Sequence, residues 1–129
     1  MGRDRSAHEV GWVSVLASES RTRIVLAGEL DETLTGDLTE AVELAVHRGL
    51  PVDIDARNTT FMDSSTVATL ARLAARLPGR PRLIEPPEIL LFLLDVTDLG
   101  QILDIVEVDP GFVGTPLRGE DRAADPAPA

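Results

Sequence analysis

The chain has 129 residues, of which 43% are hydrophobic; this suffices for one folded domain, whose core must be aliphatic because aromatic residues make up only 3%. Cysteine is absent, which excludes disulfides and thiolate metal sites and favours a reducing, cytoplasmic setting. The net charge of −10 argues against a nucleic-acid partner, and the longest apolar run, "ILLFLL" at 89–94, is too short for membrane insertion. The start "MGRDRSAHEV" also lacks the apolar region of a signal peptide.

The first third of the chain predicts two strands followed by a helix. The stretches "WVSVLA" (12–17) and "TRIVLAGEL" (22–30) are rich in β-branched and aliphatic residues, and the polar connector between them indicates a hairpin. Apolar residues then recur with a helical period over 34–45. We expect polar residues from Asp31 onward to cap this helix and Gly49 to end it.

The middle of the chain predicts another strand and helix. The alternation in "PVDIDA" (51–56) indicates a strand with Asp53 and Asp55 on its water-facing side. The stretch "RNTT" (57–60) predicts a turn. A second helical period runs from Ser65 until Pro78-Gly79 ends it.

The last elements complete an alternating pattern. We predict a short strand in "RPRLIE" (80–85), a helix that begins after Pro86-Pro87 and runs to about Val96, and a final strand in "ILDIVEV" (102–108). The order β-β-α-β-α-β-α-β predicts an α/β domain whose mixed sheet has four to five strands, with three to four helices packed on it.

The domain limits follow from composition. Residues 1–9 are polar and predict a flexible N-terminus, whereas residues 10–109 contain every predicted element. Residues 110–129 are rich in Gly, Pro and Ala and predict a largely disordered tail.

Few residues are suited to catalysis. The only histidines are His8 and His47, and no G-x-S-x-G motif is present, which argues against a serine hydrolase. The chain has no lysine, so it has neither a P-loop nor the lysine of a response-regulator receiver. No metal-binding spacing is present. We therefore predict no enzyme activity, no metal site and no cofactor.

The stretch "FMDSSTVATLARL" (61–73) places Asp63, Ser64 and Ser65 at the start of the second helix. One interpretation is structural: Ser64, at or beside the N-cap, would accept a hydrogen bond from a backbone N–H group. The other is functional. A phosphate on an exposed hydroxyl at this position would be stabilised by the unpaired N–H groups and by the helix dipole, so the site would act as a surface switch.

Two motifs together resemble a known family. The segments "LAGELDETLTGDLTEAV" (26–42) and "VDIDARNTTFMDSSTVATLARL" (52–73) are similar to the STAS domain of bacterial anti-sigma factor antagonists. That family pairs G-E-L-D at the end of the second strand with D-S-S-G or D-S-T-G about thirty residues later. The corresponding residues here are 28–31 and 63–66, with Thr66 in place of the usual glycine.

The resemblance implies a function. In that family an anti-sigma factor that is itself a serine kinase phosphorylates the hydroxyl residue directly after the aspartate, which is Ser64 here, with Ser65 as the fallback. The unphosphorylated protein binds the anti-sigma factor and releases a sigma factor, and phosphorylation ends that complex. The resemblance implies partner-binding residues in both motifs: Gly28, Glu29, Asp31, Asp63, Ser64, Ser65 and Thr66.

Two alternatives remain open within the same fold. Thr66 favours a STAS scaffold that is never phosphorylated and acts in a signalling assembly. A free-standing STAS domain can also be a soluble subunit of a lipid transporter.

The third predicted helix is apolar almost all round. Leu91 and Phe92 point away from the side that packs on the sheet, which predicts either an interface, including that of a homodimer, or a surface covered by the tail segment 111–117.

Overall fold

The computed structural model describes residues 10–118, which form six strands and three α-helices. In chain order these are β1 (Trp12–Ala17), β2 (Thr22–Leu30), α1 (Thr35–Arg48), β3 (Val52–Met62), α2 (Ser64–Ala74), β4 (Arg82–Ile84), α3 (Glu88–Thr97), β5 (Asp104–Val106) and β6 (Thr115–Arg118). Short 3-10 turns, Glu32–Leu34 and Leu99–Gln101, precede α1 and follow α3. The predicted order is confirmed, and β6 is added to it.

The strands form one mixed sheet in the order β5-β4-β3-β2-β1-β6. Strands β2 to β5 are parallel, whereas β1 runs antiparallel to both β2 and β6. The α/β class is therefore confirmed, with one strand more than the four to five expected. Each helix connects two parallel neighbours, and all three crossovers step in the same direction across the sheet. Right-handed crossovers of this kind place the helices on one face.

The core lies between that face of the sheet and the helices. Alternate strand residues, such as Val15, Ile24 and Ile54, are completely or almost completely buried there. Leu38 of α1 and Leu70 of α2 belong to the same apolar cluster. These are the faces that the helical periods predicted.

The segment 107–114 crosses the helix-free face of the sheet, and we call it the C-terminal strap. It must cross because β5 and β6 lie at opposite edges, about five strand spacings or ~24 Å apart, a distance that an extended segment of this length can span. Asp109 of the strap accepts hydrogen bonds from Arg23 of β2 at 2.8 and 3.0 Å. The Phe112 ring lies 5.0 Å from the Arg23 guanidinium carbon.

The strap and β6 lie within the predicted tail. Residues 115–118 pair with β1 instead of being disordered, and Pro116 is compatible with this strand because β6 is an edge strand. The rest of the predicted tail, and the predicted flexible N-terminus 1–9, lie outside the described residues.

Two predicted local features are wrong. Residues 57–60 do not form a turn, because β3 continues to Met62 and absorbs the extra residues as irregularities in its register with β2. Asp31 caps the 3-10 turn Glu32–Leu34 rather than α1, and α1 begins at Thr35 without a side-chain cap. The predicted end of α1 is confirmed by Gly49, which has a left-handed φ of 70°.

The expectation that Asp53 and Asp55 face water is also wrong. Asp53 is fully buried and Asp55 is 9% exposed, because both lie on the helix-free face under the strap. Asp53 accepts hydrogen bonds from three arginines: Arg21, Arg23 and Arg82. Burial alone would raise the pKa of Asp53, but these bonds outweigh it and hold the pKa below its usual value.

No helix in the described part of the chain is long and apolar enough to cross a membrane.

Candidate functional site

The two motifs meet at one end of the sheet. Strands β2 and β3 are parallel neighbours, and their last residues, Leu30 and Met62, are paired. The backbone N–H of Asp63 donates to the Leu30 carbonyl oxygen at 3.0 Å, so the chain leaves both strands at the same place. The fold thus brings residues 28–31 beside residues 63–66.

Asp63, not Ser64, is the N-cap of α2. Its carboxylate accepts hydrogen bonds from the Thr66 backbone N–H at 2.8 Å and from the Ser65 hydroxyl at 2.9 Å. The bond from Thr66 is the main reason that the pKa of Asp63 lies below its usual value, and the backbone N–H of Glu32 contributes to the same shift. Asp63 therefore links the start of α2 to the residue directly after the first motif.

The two serines differ in how free their hydroxyls are. Both Ser64 and Ser65 are exposed in the first turn of α2. The Ser65 hydroxyl is held by Asp63, whereas no residue within 10–118 makes a hydrogen bond with the Ser64 hydroxyl. Ser64 thus has the freer hydroxyl of the two, and it lies at the N-terminus of α2, where unpaired backbone N–H groups favour anions.

Thr66 points inward. It is 2% exposed, and its hydroxyl donates to the Leu30 carbonyl oxygen at 3.2 Å. The side chain that replaces the usual glycine consequently adds no bulk to the outer surface, and it strengthens the junction between β2 and α2. Thr66 supports the site from within rather than being available for direct contact.

Gly28 also has a structural position. It is buried and has a φ of 76°, a conformation that side chains other than glycine rarely adopt. A Cβ atom at this position would lie 2.5 Å from the Val10 carbonyl oxygen. The residues of this motif that reach the surface are Glu29 and Asp31, both of intermediate exposure. Asp31 accepts a hydrogen bond from the Thr33 N–H at 3.0 Å.

Sequence reasoning missed an apolar patch beside the site. Phe61 is 47% exposed and Trp12 is 49% exposed, and strand pairing places both on the helix-free face near the end of β3. Between Trp12, Arg57 and Thr60 lies an open cleft of about 530 Å³. The strand period contains the missing signal: since Met62 faces the core, its neighbour Phe61 must face outward.

Replacing Asp63 with alanine is expected to lower the free energy of unfolding by about 1 kcal/mol, because the Thr66 N–H would lose its capping acceptor. Thermal or urea unfolding measures this change. The matched replacement Ser65→Ala leaves the bond from Thr66 in place and should have a smaller effect. If both variants unfold like the parent, the cap does not stabilise α2.

The sequence of this chain matches a known domain family. A family model described as "Mlab, STAS domain" matches residues 13–107. The chain belongs to the STAS-domain family. No curated protein sequence is similar enough to this STAS domain to count as a match.

Solved structures share the fold. An anti-sigma factor antagonist from Mycobacterium paratuberculosis is 17% identical, with a TM-score of 0.67, and the match covers 93% of this chain and 96% of the other. The anti-sigma factor antagonist SpoIIAA in its unphosphorylated form is 19% identical, with a TM-score of 0.62 and coverage of 92% and 96%. The phosphorylated form of SpoIIAA from Bacillus is 20% identical, with a TM-score of 0.58 and coverage of 92% and 99%.

Proposed function

We propose that this STAS domain is an anti-sigma factor antagonist that is switched off by phosphorylation of Ser64. The observation that carries the proposal is the exposed Ser64 hydroxyl at the start of α2, directly beside the end of β2. Structures of SpoIIAA exist in an unphosphorylated and a phosphorylated form, so a protein of the same fold is a phosphoprotein. The chain would act as a binding partner and kinase substrate, not as an enzyme.

The surface around Ser64 suits a partner that has basic groups and an apolar contact area. Asp31 and Asp63 present carboxylates there, and Phe61 adds an exposed aromatic ring. Aromatic residues are enriched in interface cores, and carboxylates guide a partner with basic groups into register. The anti-sigma factor would therefore cover Ser64 together with its acidic neighbours.

Phosphorylation would reverse this complementarity. A phosphoserine adds about −1.5 to −2 charges at neutral pH. Asp63 already has a lowered pKa and stays ionised, so the added charge would lie against at least one carboxylate. The N–H groups of α2 would stabilise the phosphate without unfolding the helix. The expected result is loss of binding with retention of the fold.

The test is incubation of the purified protein with ATP and the anti-sigma factor kinase encoded nearest to its gene, followed by phosphosite mapping by mass spectrometry. We expect phosphate on Ser64 and none on the Ser64→Ala variant. Phosphate on Ser65 alone would contradict the assignment to Ser64. It would make Ser65, whose hydroxyl donates to Asp63, the regulatory residue.

The Ser64 variants should separate binding from switching. Ser64→Ala is expected to bind the anti-sigma factor whether or not ATP is present, at little cost in stability, because the cap is Asp63. Ser64→Asp is expected to bind at least about tenfold more weakly, since it places a charge in the contact surface. Isothermal titration calorimetry measures both, and Ala68→Asp, an exposed change one turn further along α2, is the control for added charge.

The alternatives predict different results. Tight binding that is unaffected by ATP, with no phosphate on either serine, would favour the unphosphorylated signalling scaffold. Co-purification with transporter subunits instead of an anti-sigma factor would favour the lipid-transporter role.

A further inference from the structure

Helix α3 exposes more apolar surface than packing on the sheet requires. Leu90 and Leu94 are buried and are the α3 residues in the core. Ile89, Phe92 and Val96 are 41%, 60% and 58% exposed and follow an i, i+3, i+7 spacing, so they form one stripe along the helix. The strap and β6 do not cover this stripe. Within the described residues, the tail segment 111–117 therefore does not bury the apolar surface of α3, which was one of the two alternatives predicted from the sequence.

A groove lies beside the stripe, where α3 faces β5. Leu91 on one wall is 38% exposed and Ile105 on the other is 42% exposed, with the Leu99–Gln101 turn closing one end. The cavity has a volume of about 290 Å³. A space of this size accommodates one or two large side chains from another molecule.

The rim of the groove is acidic. Glu88 and Asp95 lie seven residues apart on α3, between the apolar stripe and the groove, and Asp98 follows at the C-terminal end of the helix. Within the described residues none of these three carboxylates forms an ion pair; Asp104 of β5 does, with Arg80 at 2.9 Å.

The helix dipole increases this negative charge. The C-terminal end of a helix carries a partial negative charge, which a cation normally offsets. The last turn of α3 contains no basic residue, and Asp95 and Asp98 lie at this end. Residues 83–109 contain acidic side chains but no arginine or lysine. An external cation would therefore relieve repulsion that residues 10–118 leave uncompensated at Glu88, Asp95 and Asp98.

From this combination we infer that α3, the Leu99–Gln101 turn and β5 form a second docking surface, which binds an amphipathic segment of a partner whose apolar residues are flanked by arginine or lysine. The apolar residues would fill the groove and cover the stripe, and the cations would meet Glu88, Asp95 and Asp98. A second copy of this chain fits less well, because two acidic rims would face each other.

The groove of this surface is separate from the site of the proposed function. Ser64 lies at the end of the sheet where the parallel strands finish, and α3 begins there at Glu88. The groove lies towards the opposite end, at the last turn of α3 and the start of β5. One protein could thus hold the basic segment while Ser64 remains accessible.

The experiment uses the full chain and a short amphipathic helical peptide in which leucines on one face are flanked by arginines. NMR shift mapping on isotope-labelled protein is expected to place the perturbed residues within 88–105. Fluorescence anisotropy is expected to show binding that weakens as salt is added, since exposed charge pairs are screened. A peptide with glutamate in place of each arginine should not bind.

The matched variants reverse charge at the rim and elsewhere. Asp95→Arg combined with Asp98→Arg is expected to weaken binding of the arginine peptide by at least about tenfold. Glu19→Arg, an exposed change in the β1–β2 connection, should not alter it. Ser64→Ala should also bind the peptide normally, so failure here is distinguishable from failure of the phosphorylation switch.

Three results would overturn the inference. They are equal binding of the arginine and glutamate peptides, unchanged affinity of the Asp95→Arg/Asp98→Arg variant, and perturbed residues outside 88–105. A parent protein that light scattering shows to be a dimer, and that Phe92→Lys makes monomeric, would assign the surface to a second copy instead.

Discussion

Replacing Asp53 with alanine is expected to lower the free energy of unfolding by about 3 kcal/mol. The buried carboxylate accepts from Arg82 at 2.8 Å, from Arg21 at 2.9 Å and from Arg23 at 3.1 Å. The side chain of Arg23 is only 4% exposed, so the variant would leave a buried cation with fewer partners. The expected loss lies at the lower end of the range for a broken buried pair because Arg23 retains Asp109.

Repulsion adds to this loss. The carboxylate lies between three guanidinium groups, and the positive charge of Arg23 already repels that of Arg82. Without Asp53 these like charges would face one another on the helix-free side of the sheet. The strap would be weakened as well, since Asp109 binds the same Arg23.

Urea unfolding of the Asp53→Ala variant measures the change. Glu43→Ala is the control, because Glu43 pairs with Arg76 on the surface and both side chains are about half exposed. Its effect should be much smaller, since exposed ion pairs contribute little. An Asp53→Ala variant within about 1 kcal/mol of the parent would mean that water replaces the carboxylate and that the cluster is not a buried network.

A second comparison isolates the cause. Replacing Arg23 with methionine and Asp53 with leucine together removes the two most buried charges of the cluster, whereas the remaining Arg21 and Arg82, with side chains 28% and 29% exposed, keep access to water. Such replacements of buried pairs are often close to neutral. The double variant should therefore be more stable than Asp53→Ala alone, even though it has lost more hydrogen bonds.

The fold could largely be predicted because its helices have clear periods. Leu38 and Leu70 fall on the faces that the apolar spacing predicted, and Gly49 ends α1 with the expected left-handed conformation. The proximity of the two motifs was also predictable, since the first ends β2 and the second directly follows β3, its parallel neighbour. These features depend on local sequence and on strand order alone.

The buried charges could not be predicted in the same way. Alternating aspartates in a strand look identical whether the second face meets water or an arginine cluster, and the arginines that pair with Asp53 come from β2, from β4 and from the residue directly before β2. The strap could not be predicted from the sequence either. Residues 107–118 contain little periodicity, and β6 exists because the edge of β1 is available to pair with it.

The local roles of the site residues also required the structure. A one-residue shift of the helix start makes Asp63 the cap and leaves the Ser64 hydroxyl free. The same shift turns Thr66 towards the Leu30 carbonyl, so its β-branched side chain fits where the family usually has glycine. Thr66 is 2% exposed, so its side chain adds no bulk to the surface that a partner would contact.

Replacing Gly28 with valine is expected to lower the free energy of unfolding by about 2–5 kcal/mol, combining backbone strain with a steric clash. Gly28 has a φ of 76°, and a Cβ atom there would lie 2.5 Å from the Val10 carbonyl oxygen and 3.0 Å from the Gly11 Cα. Backbone atoms cannot move aside as a flexible side chain can. The backbone of β2 at Gly28 and the backbone of Val10 and Gly11 would have to move apart.

This result would define the role of Gly28 in the motif. Gly36→Ala is the control, because an added Cβ at Gly36 has no neighbour within 4 Å, and it should be neutral or slightly stabilising. If Gly28 were chiefly a contact residue, Gly28→Val would fold with parental stability and lose only its partner. We expect the opposite result: Gly28→Val lowers the free energy of unfolding, and the protein that remains folded still binds its partner through the surface around Ser64.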